Sequence, residues 1–279
     1  MKKILMVGIA VLAGGFMLRG DFQSGERHFL TVATPAPANR EVKFAYIPPS
    51  RPPAGKSGII LVIFGGRNWS GEETLQRIDF RQLAQRFKLA LLAPGFQDDD
   101  YWQPEKWSGR ALNQAIGKLE KQCGWKDSRL LYYGYSAGGQ CANLFYGYDP
   151  EKVMAWGVHG CGVWTDPARI AKPVPALITC GKEDSERCEL SRRFALKSGE
   201  LEWRRLWLEL PGGHELSPEA VDLARLFFAA VLTGEKETFW GDDQSGARET
   251  EPKKIDPELR SYLPGQTIRR EWRQLRGKE

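Results

Sequence analysis

Long hydrophobic runs are nearly missing from this 279-residue chain: the uncharged stretch from Ile4 to Leu18 falls short of the roughly 20 apolar residues that a spanning helix needs. A multi-span membrane protein is therefore excluded, and no stable membrane insertion is expected. Blocks of one charge are missing too. Forty Lys and Arg and 35 Asp and Glu are interspersed, with a net charge of +5, so the chain carries no electrostatic footprint for a nucleic-acid partner. No internal repeat is present, which leaves out solenoids and propellers. Histidine occurs at only three positions, His28, His159 and His214, so any chemistry that needs an imidazole has a narrow choice. What remains is ordinary globular composition, 42% hydrophobic and 27% charged, at a length suited to one large domain with appendages. Ten Trp are the surplus, and Trp is favoured where a rigid, partly polar aromatic surface meets a ligand.

Lys2 and Lys3 before the apolar run, and Arg19 after it, form the arrangement of a secretory signal peptide over residues 1–20, with Ala13 and Gly20 as cleavage positions. Export to the periplasm or the extracellular space is the expectation. No Cys ends the run, so a lipid-modified cysteine has no attachment point. An oxidising compartment would allow two bridges among Cys123, Cys141, Cys161, Cys180 and Cys188, with Cys180–Cys188 the best local candidate. The alternative is that all five are buried small apolar residues.

Strand-like and helix-like stretches then alternate. Glu41 to Ile47 reads as a strand closed by prolines. Gly58 to Phe64 is a continuous β-branched run of the kind buried on both faces of a parallel sheet. Leu75 to Phe87 has helical apolar spacing, Leu89 to Ala93 is a second buried strand, and Leu112 to Leu119 lies in another amphipathic helix. Strands are expected at Leu130 to Tyr135, Val153 to Val158, Val174 to Cys180 and Trp203 to Leu210, and helices from Ala137, over Glu186 to Leu196 and over Pro218 to Leu232. Short links between such elements predict an α/β domain with a mostly parallel sheet covered on both faces, over residues 21–233. Residues 234–279 hold few apolar side chains and recurrent Gly and Pro, and read as a polar C-terminal tail on the surface or partly disordered.

Three places carry chemistry. Gly134-Tyr135-Ser136-Ala137-Gly138 matches the G-x-S-x-G nucleophile elbow and falls between a predicted strand and a predicted helix. The serine must sit in a strained turn, the glycines let neighbouring backbone pass, and the N–H of Ala137 can donate to a developing oxyanion. Asp184 follows a later strand, and His214 follows the last one within Pro211-Gly212-Gly213-His214-Glu215. Glu183 and Asp166 are rival acids, and His159 is an alternative histidine on an earlier strand. The third place is Phe64-Gly65-Gly66-Arg67, where the main chain at Gly66 or Arg67 would supply the second oxyanion donor.

The elbow and the order Ser, Asp, His resemble the α/β-hydrolase superfamily, and the layout from Glu41 to Leu232 is similar to secreted esterases of the polyhydroxybutyrate depolymerase and feruloyl esterase type. Phe64 departs from the His-Gly-Gly found at this position in many relatives. The resemblance implies an α/β-hydrolase fold with helices on both faces, and a Ser136–His214–Asp184 serine esterase working through an acyl-enzyme with no metal and no cofactor. The substrate implied is a small-molecule or polymer-linked ester. Trp102 and Trp107, on a loop leaving a strand end, are expected to touch a carbohydrate-linked or aryl ester; Trp69 and Trp164 follow other strands on that side, and Arg67 could meet a carboxylate. A serine peptidase of the same fold and an inactive hydrolase-fold binding protein are the alternative readings.

Overall fold

A computed structural model describes residues 25–34, 38–50, 57–98, 100–170, 172–249 and 251–277, so the expected signal segment lies outside the described residues. Two antiparallel strands, β1 (His28–Ala33) and β2 (Glu41–Ile47), edge an eight-stranded sheet. The others are β3 (Ile59–Phe64), β4 (Ala90–Pro94), β5 (Arg129–Tyr135), β6 (Val153–His159), β7 (Ala176–Gly181) and β8 (Arg205–Leu210). Their order is β1-β2-β4-β3-β5-β6-β7-β8, parallel from β4 onward. Pleating explains the apolar runs. In β3, Ile60, Val62 and Phe64 enter one core layer while Leu61 and Ile63 enter the other, so both faces must be apolar. The chain leaves β3 for β4 on one side and later for β5 on the other, and this reversal opens a crevice at the strands' carboxyl ends.

Helices cover both faces: α1 (Gly71–Arg77), α2 (Arg81–Phe87), α3 (Gly109–Cys123), α4 (Ala137–Tyr148), α5 (Ser185–Glu200) and α6 (Pro218–Thr233). The single helix expected over Leu75 to Phe87 is broken. Ser70 caps α1 at its start, Ile78 closes it by donating to the Thr74 carbonyl, and the Asp79 carboxylate takes the Arg81 N–H. Ile78 and Phe80 remain fully buried through the break, so the apolar periodicity runs on across it.

Residues from 234 on, expected as a polar tail, instead fold. Strands β9 (Thr238–Asp242), β10 (Arg248–Glu249) and β11 (Arg260–Pro264) form an antiparallel sheet in the order β10-β9-β11, followed by α7 (Gly265–Arg276). The few apolar residues fall where they are needed: Phe239, Tyr262, Leu263, Ile268, Trp272 and Leu275 join the core layer under α6. Arg205 of β8 fastens this unit. Its fully buried guanidinium donates to Asp243 at 2.6 Å, to the Arg260 carbonyl at 2.9 Å and to the Glu258 carbonyl. Burial pushes the Asp243 carboxyl up to about 6 despite Arg205.

The cysteines are buried free thiols, and the expected Cys180–Cys188 bridge is not formed. Cys180 near the end of β7 and Cys188 in the first turn of α5 meet as hydrogen-bonded thiols. That bond and burial raise Cys180, and burial alone raises Cys161 to about 12. All five are buried, as in the alternative reading, while the bond from Cys180 lowers Cys188.

Candidate active site

Ser136 joins β5 to α4 at φ 55° and ψ −120°, a conformation costing a non-glycine residue on the order of 1–3 kcal/mol. The flanking glycines make the turn possible. A Cβ at Gly134 would lie 2.0 Å from the Gly138 carbonyl oxygen, and one at Gly138 would lie 2.1 Å from the carbonyl of Phe64 and 2.4 Å from that of Gly65. The turn after β3 is thus pressed onto the first turn of α4. Ser136 donates its N–H to the His159 carbonyl at 2.9 Å, which ties the elbow to β6.

His214 sits in the loop between β8 and α6, and Asp184 between β7 and α5. Ser136 Oγ is 2.8 Å from His214 Nε2, and His214 Nδ1 is 2.7 Å from Asp184 Oδ2. Asp184 is buried, so its carboxylate depends on partners: Arg187 Nη1 at 3.2 Å on Oδ1, and the Cys180 thiol at 3.9 Å on Oδ2. The two loops are stitched together by backbone, since Lys182 donates to the Leu210 carbonyl at 2.8 Å and Glu183 to that of Gly212 at 3.0 Å. A Cβ at Gly181 would strike the Gly213 carbonyl at 2.3 Å.

His159 braces this arrangement from behind. It is buried, with Nε2 3.1 Å from the Glu215 carbonyl and Nδ1 3.0 Å from the Thr179 hydroxyl. A carbonyl only accepts, so the Nε2 proton points at Glu215, beside His214 in the chain. Burial lowers the His159 pKa to about 4, outweighing the Glu215 carbonyl, so the ring is neutral. Between the two imidazoles lies Tyr135, stacked on His159 at 6.1 Å and on His214 at 5.7 Å, its hydroxyl donating to the His214 carbonyl. Tyr135, inside the elbow motif, and His159, the alternative histidine, act here as braces, a role that sequence reasoning did not assign to them.

The rivals are placed elsewhere. Asp166 pairs with Lys197 at 3.0 Å and caps a short helical turn, contacts that hold its carboxyl below the usual range. Glu183 is exposed beside Asp184, and His28 is on the far edge strand against Tyr46. Ala137 opens α4, where first-turn N–H groups lack helical partners, and the next residue, Gly138, is pressed onto the carbonyls of Phe64 and Gly65, which lead into buried Gly66 and exposed Arg67.

The loop from Asp98 to Trp107 meets the β3 turn through Tyr101. Tyr101, together with Trp69, Phe96, Gly66, Gly138 and Cys141, encloses a gap of water-molecule size beside the β3 turn. Trp107 is turned into the core: its ring packs edge-on to Phe96 and under the Arg40 guanidinium, and its N–H donates to Asp100 at 3.0 Å. Trp102 is half-buried, edge-on to Tyr101, and Trp164 stacks on Phe194 at 4.2 Å. An aromatic cluster needs a floor, and position on a loop does not reveal which ring supplies it. Among the described residues no group of three or more His, Cys, Asp or Glu gathers as metal ligands.

An eight-stranded, mostly parallel sheet with a strained serine elbow at its crevice is the α/β-hydrolase fold, and the chain has that fold. No protein-family model matches the chain, and no curated protein matches its sequence. Solved structures do. A fluorophosphonate-binding serine hydrolase of Staphylococcus aureus superposes with a TM-score of 0.58 at 15% identity, over 75% of this chain and 99% of its own. A ferulic acid esterase gives 0.56 at 12% identity, over 74% and 95%. A poly(3-hydroxybutyrate) depolymerase of Bordetella parapertussis gives 0.56 at 15% identity, over 75% and 94%.

Proposed function

We propose that this chain is an exported serine hydrolase that cleaves carboxylic esters. The observation that carries the reading is the continuous relay from Ser136 through His214 to Asp184, at 2.8 and 2.7 Å, on a strained elbow at a helix start. Ser136 Oγ bonds to the acyl carbon as its proton passes to His214 Nε2, and Asp184 holds the ring in the tautomer that can accept it. The N–H of Ala137 and one from the Gly66–Arg67 turn meet the oxyanion. His214 then returns the proton to the departing alcohol, and water repeats the sequence to release the acid. Neighbours of the same fold are described as a ferulic acid esterase and a poly(3-hydroxybutyrate) depolymerase, which accords with ester cleavage. Export is supported by Lys2, Lys3 and the apolar run to Leu18; among the described residues no helix is long and apolar enough to cross a membrane.

The test is turnover of p-nitrophenyl acetate by the wild type and by Ser136→Ala, which should differ in kcat by about 10⁶. Equal turnover would remove the proposal.

A further inference from the structure

The Asp184 carboxylate has a second strong partner that the reaction does not require. One oxygen accepts the His214 Nδ1 proton at 2.7 Å, and the other accepts from Arg187 Nη1 at 3.2 Å. Arg187 stands three positions on in the first turn of α5, so its side chain reaches back over the helix start to Asp184. Asp184 keeps only 6% of its side chain in solvent while Arg187 keeps 39%, so the pair is buried at its carboxylate end and open at its guanidinium end.

From this geometry we infer that Arg187 is a positioning residue that sets the basicity of His214 through Asp184. The inference rests on the proposed roles of Ser136, His214 and Asp184. Asp184 alone would stabilise the imidazolium and raise the pH at which His214 gives up its proton. A permanent cation on the other carboxylate oxygen cancels part of that field, and arginine cannot shed its charge. Arg187 therefore weakens the hold of Asp184 on the imidazolium form. The reciprocal effect is a stronger acid toward the leaving alkoxide. The remaining groups facing His214 do not compete for this role. Tyr135 offers an aromatic face, and burial holds its hydroxyl in the neutral form. His159, behind Tyr135, is a buried neutral imidazole, and Cys180 stays a thiol against Asp184. Glu215 on the histidine loop and Lys182 and Glu183 on the acid loop are exposed, and Arg77 lies beyond Trp69, which packs on Tyr135.

The experiment measures the His214 pKa by NMR titration of its imidazole, in a chain with only two other histidines, alongside the acid limb of kcat/KM on p-nitrophenyl acetate. In Arg187→Gln and in Arg187→Met both quantities should move upward by about 0.5 to 1 pH unit, whereas Arg187→Lys should stay near the wild type. Unmoved values in the uncharged variants, or equal shifts in the lysine and glutamine variants, would overturn the inference, because a merely structural contact would not follow charge. The NMR reading does not depend on turnover. Loss of the ester-hydrolase reading through Ser136→Ala would therefore leave the Arg187 result standing or falling by itself.

Discussion

Gly138→Ala adds one methyl group where the structure has no room for it. The new Cβ would lie 2.1 Å from the Phe64 carbonyl oxygen and 2.4 Å from that of Gly65, both backbone atoms. An ordinary C···O approach is about 3.3 Å, so the β3 turn and the start of α4 must separate by roughly 1 Å. Those two segments hold the oxyanion donors proposed at Gly66 or Arg67 and at Ala137. Losing one such donor costs on the order of 10² to 10³ in kcat, or about 2.7–4 kcal/mol, and a displacement of about 1 Å comes close to losing it. The fold should survive with an overpacking penalty of about 1–3 kcal/mol. The assay is kcat on p-nitrophenyl acetate together with a melting curve. Gly117→Ala, in α3 with nothing within 4 Å of the added Cβ, is the control and should gain about 0.5–1 kcal/mol with unchanged kcat. Wild-type kcat in Gly138→Ala would refute the placement of the oxyanion donors.

Asp184→Asn should lower kcat by about 10⁴ by favouring the wrong histidine tautomer, whereas Asp166→Asn, which loses only a surface pair with Lys197, should leave it unchanged; the two kcat values decide the assignment. His159, lowered to about 4 by burial, favours the deprotonated form in the folded state. Its contribution is complete above the unfolded value near 6.5 and is lost as pH falls through 4, on the order of 3 kcal/mol in all. Denaturant titrations at several pH values should show that slope in the wild type and its loss in His159→Gln. Trp107→Ala should cost about 3–5 kcal/mol of stability as a core truncation while leaving acyl selectivity unchanged, and Tyr101→Phe should keep both; unfolding midpoints and a panel of aryl and alkyl esters check this.

Much of the site was legible because its chemistry demands unusual local backbone. The G-x-S-x-G spacing exists since Gly134 and Gly138 cannot carry a Cβ, and the strand-to-helix context on either side of Ser136 is a periodicity signal that local pattern carries well. Asp184 and His214 followed from their places after the last two parallel strands. What was hidden depends on contacts between distant segments. Nothing local marks Trp107 as buried under Arg40 or Tyr101 as packed beside the β3 turn, because a loop's sequence does not fix which ring turns inward. The spacing of Cys180 and Cys188 fits a bridge and a hydrogen-bonded thiol pair equally well. The helix break at Asp79 was masked because Phe80 continues the apolar stripe, and β1 lacked a turn signal strong enough to stand out. In the C-terminal segment Ile268, Trp272 and Leu275 do form a helical apolar stripe, but the surrounding charge diluted it, and the buried Arg205 that anchors the unit lies in β8, far away in sequence.

The most direct test is the mass of the protein after treatment with a fluorophosphonate, followed by mapping of the modified peptide. One adduct on Ser136, formed by the wild type and strongly slowed in His214→Ala, is the expected result, because only a serine whose proton His214 can take reacts as a nucleophile. An unmodified Ser136 in folded wild-type protein, or labelling that is indifferent to His214, would contradict the account at its centre.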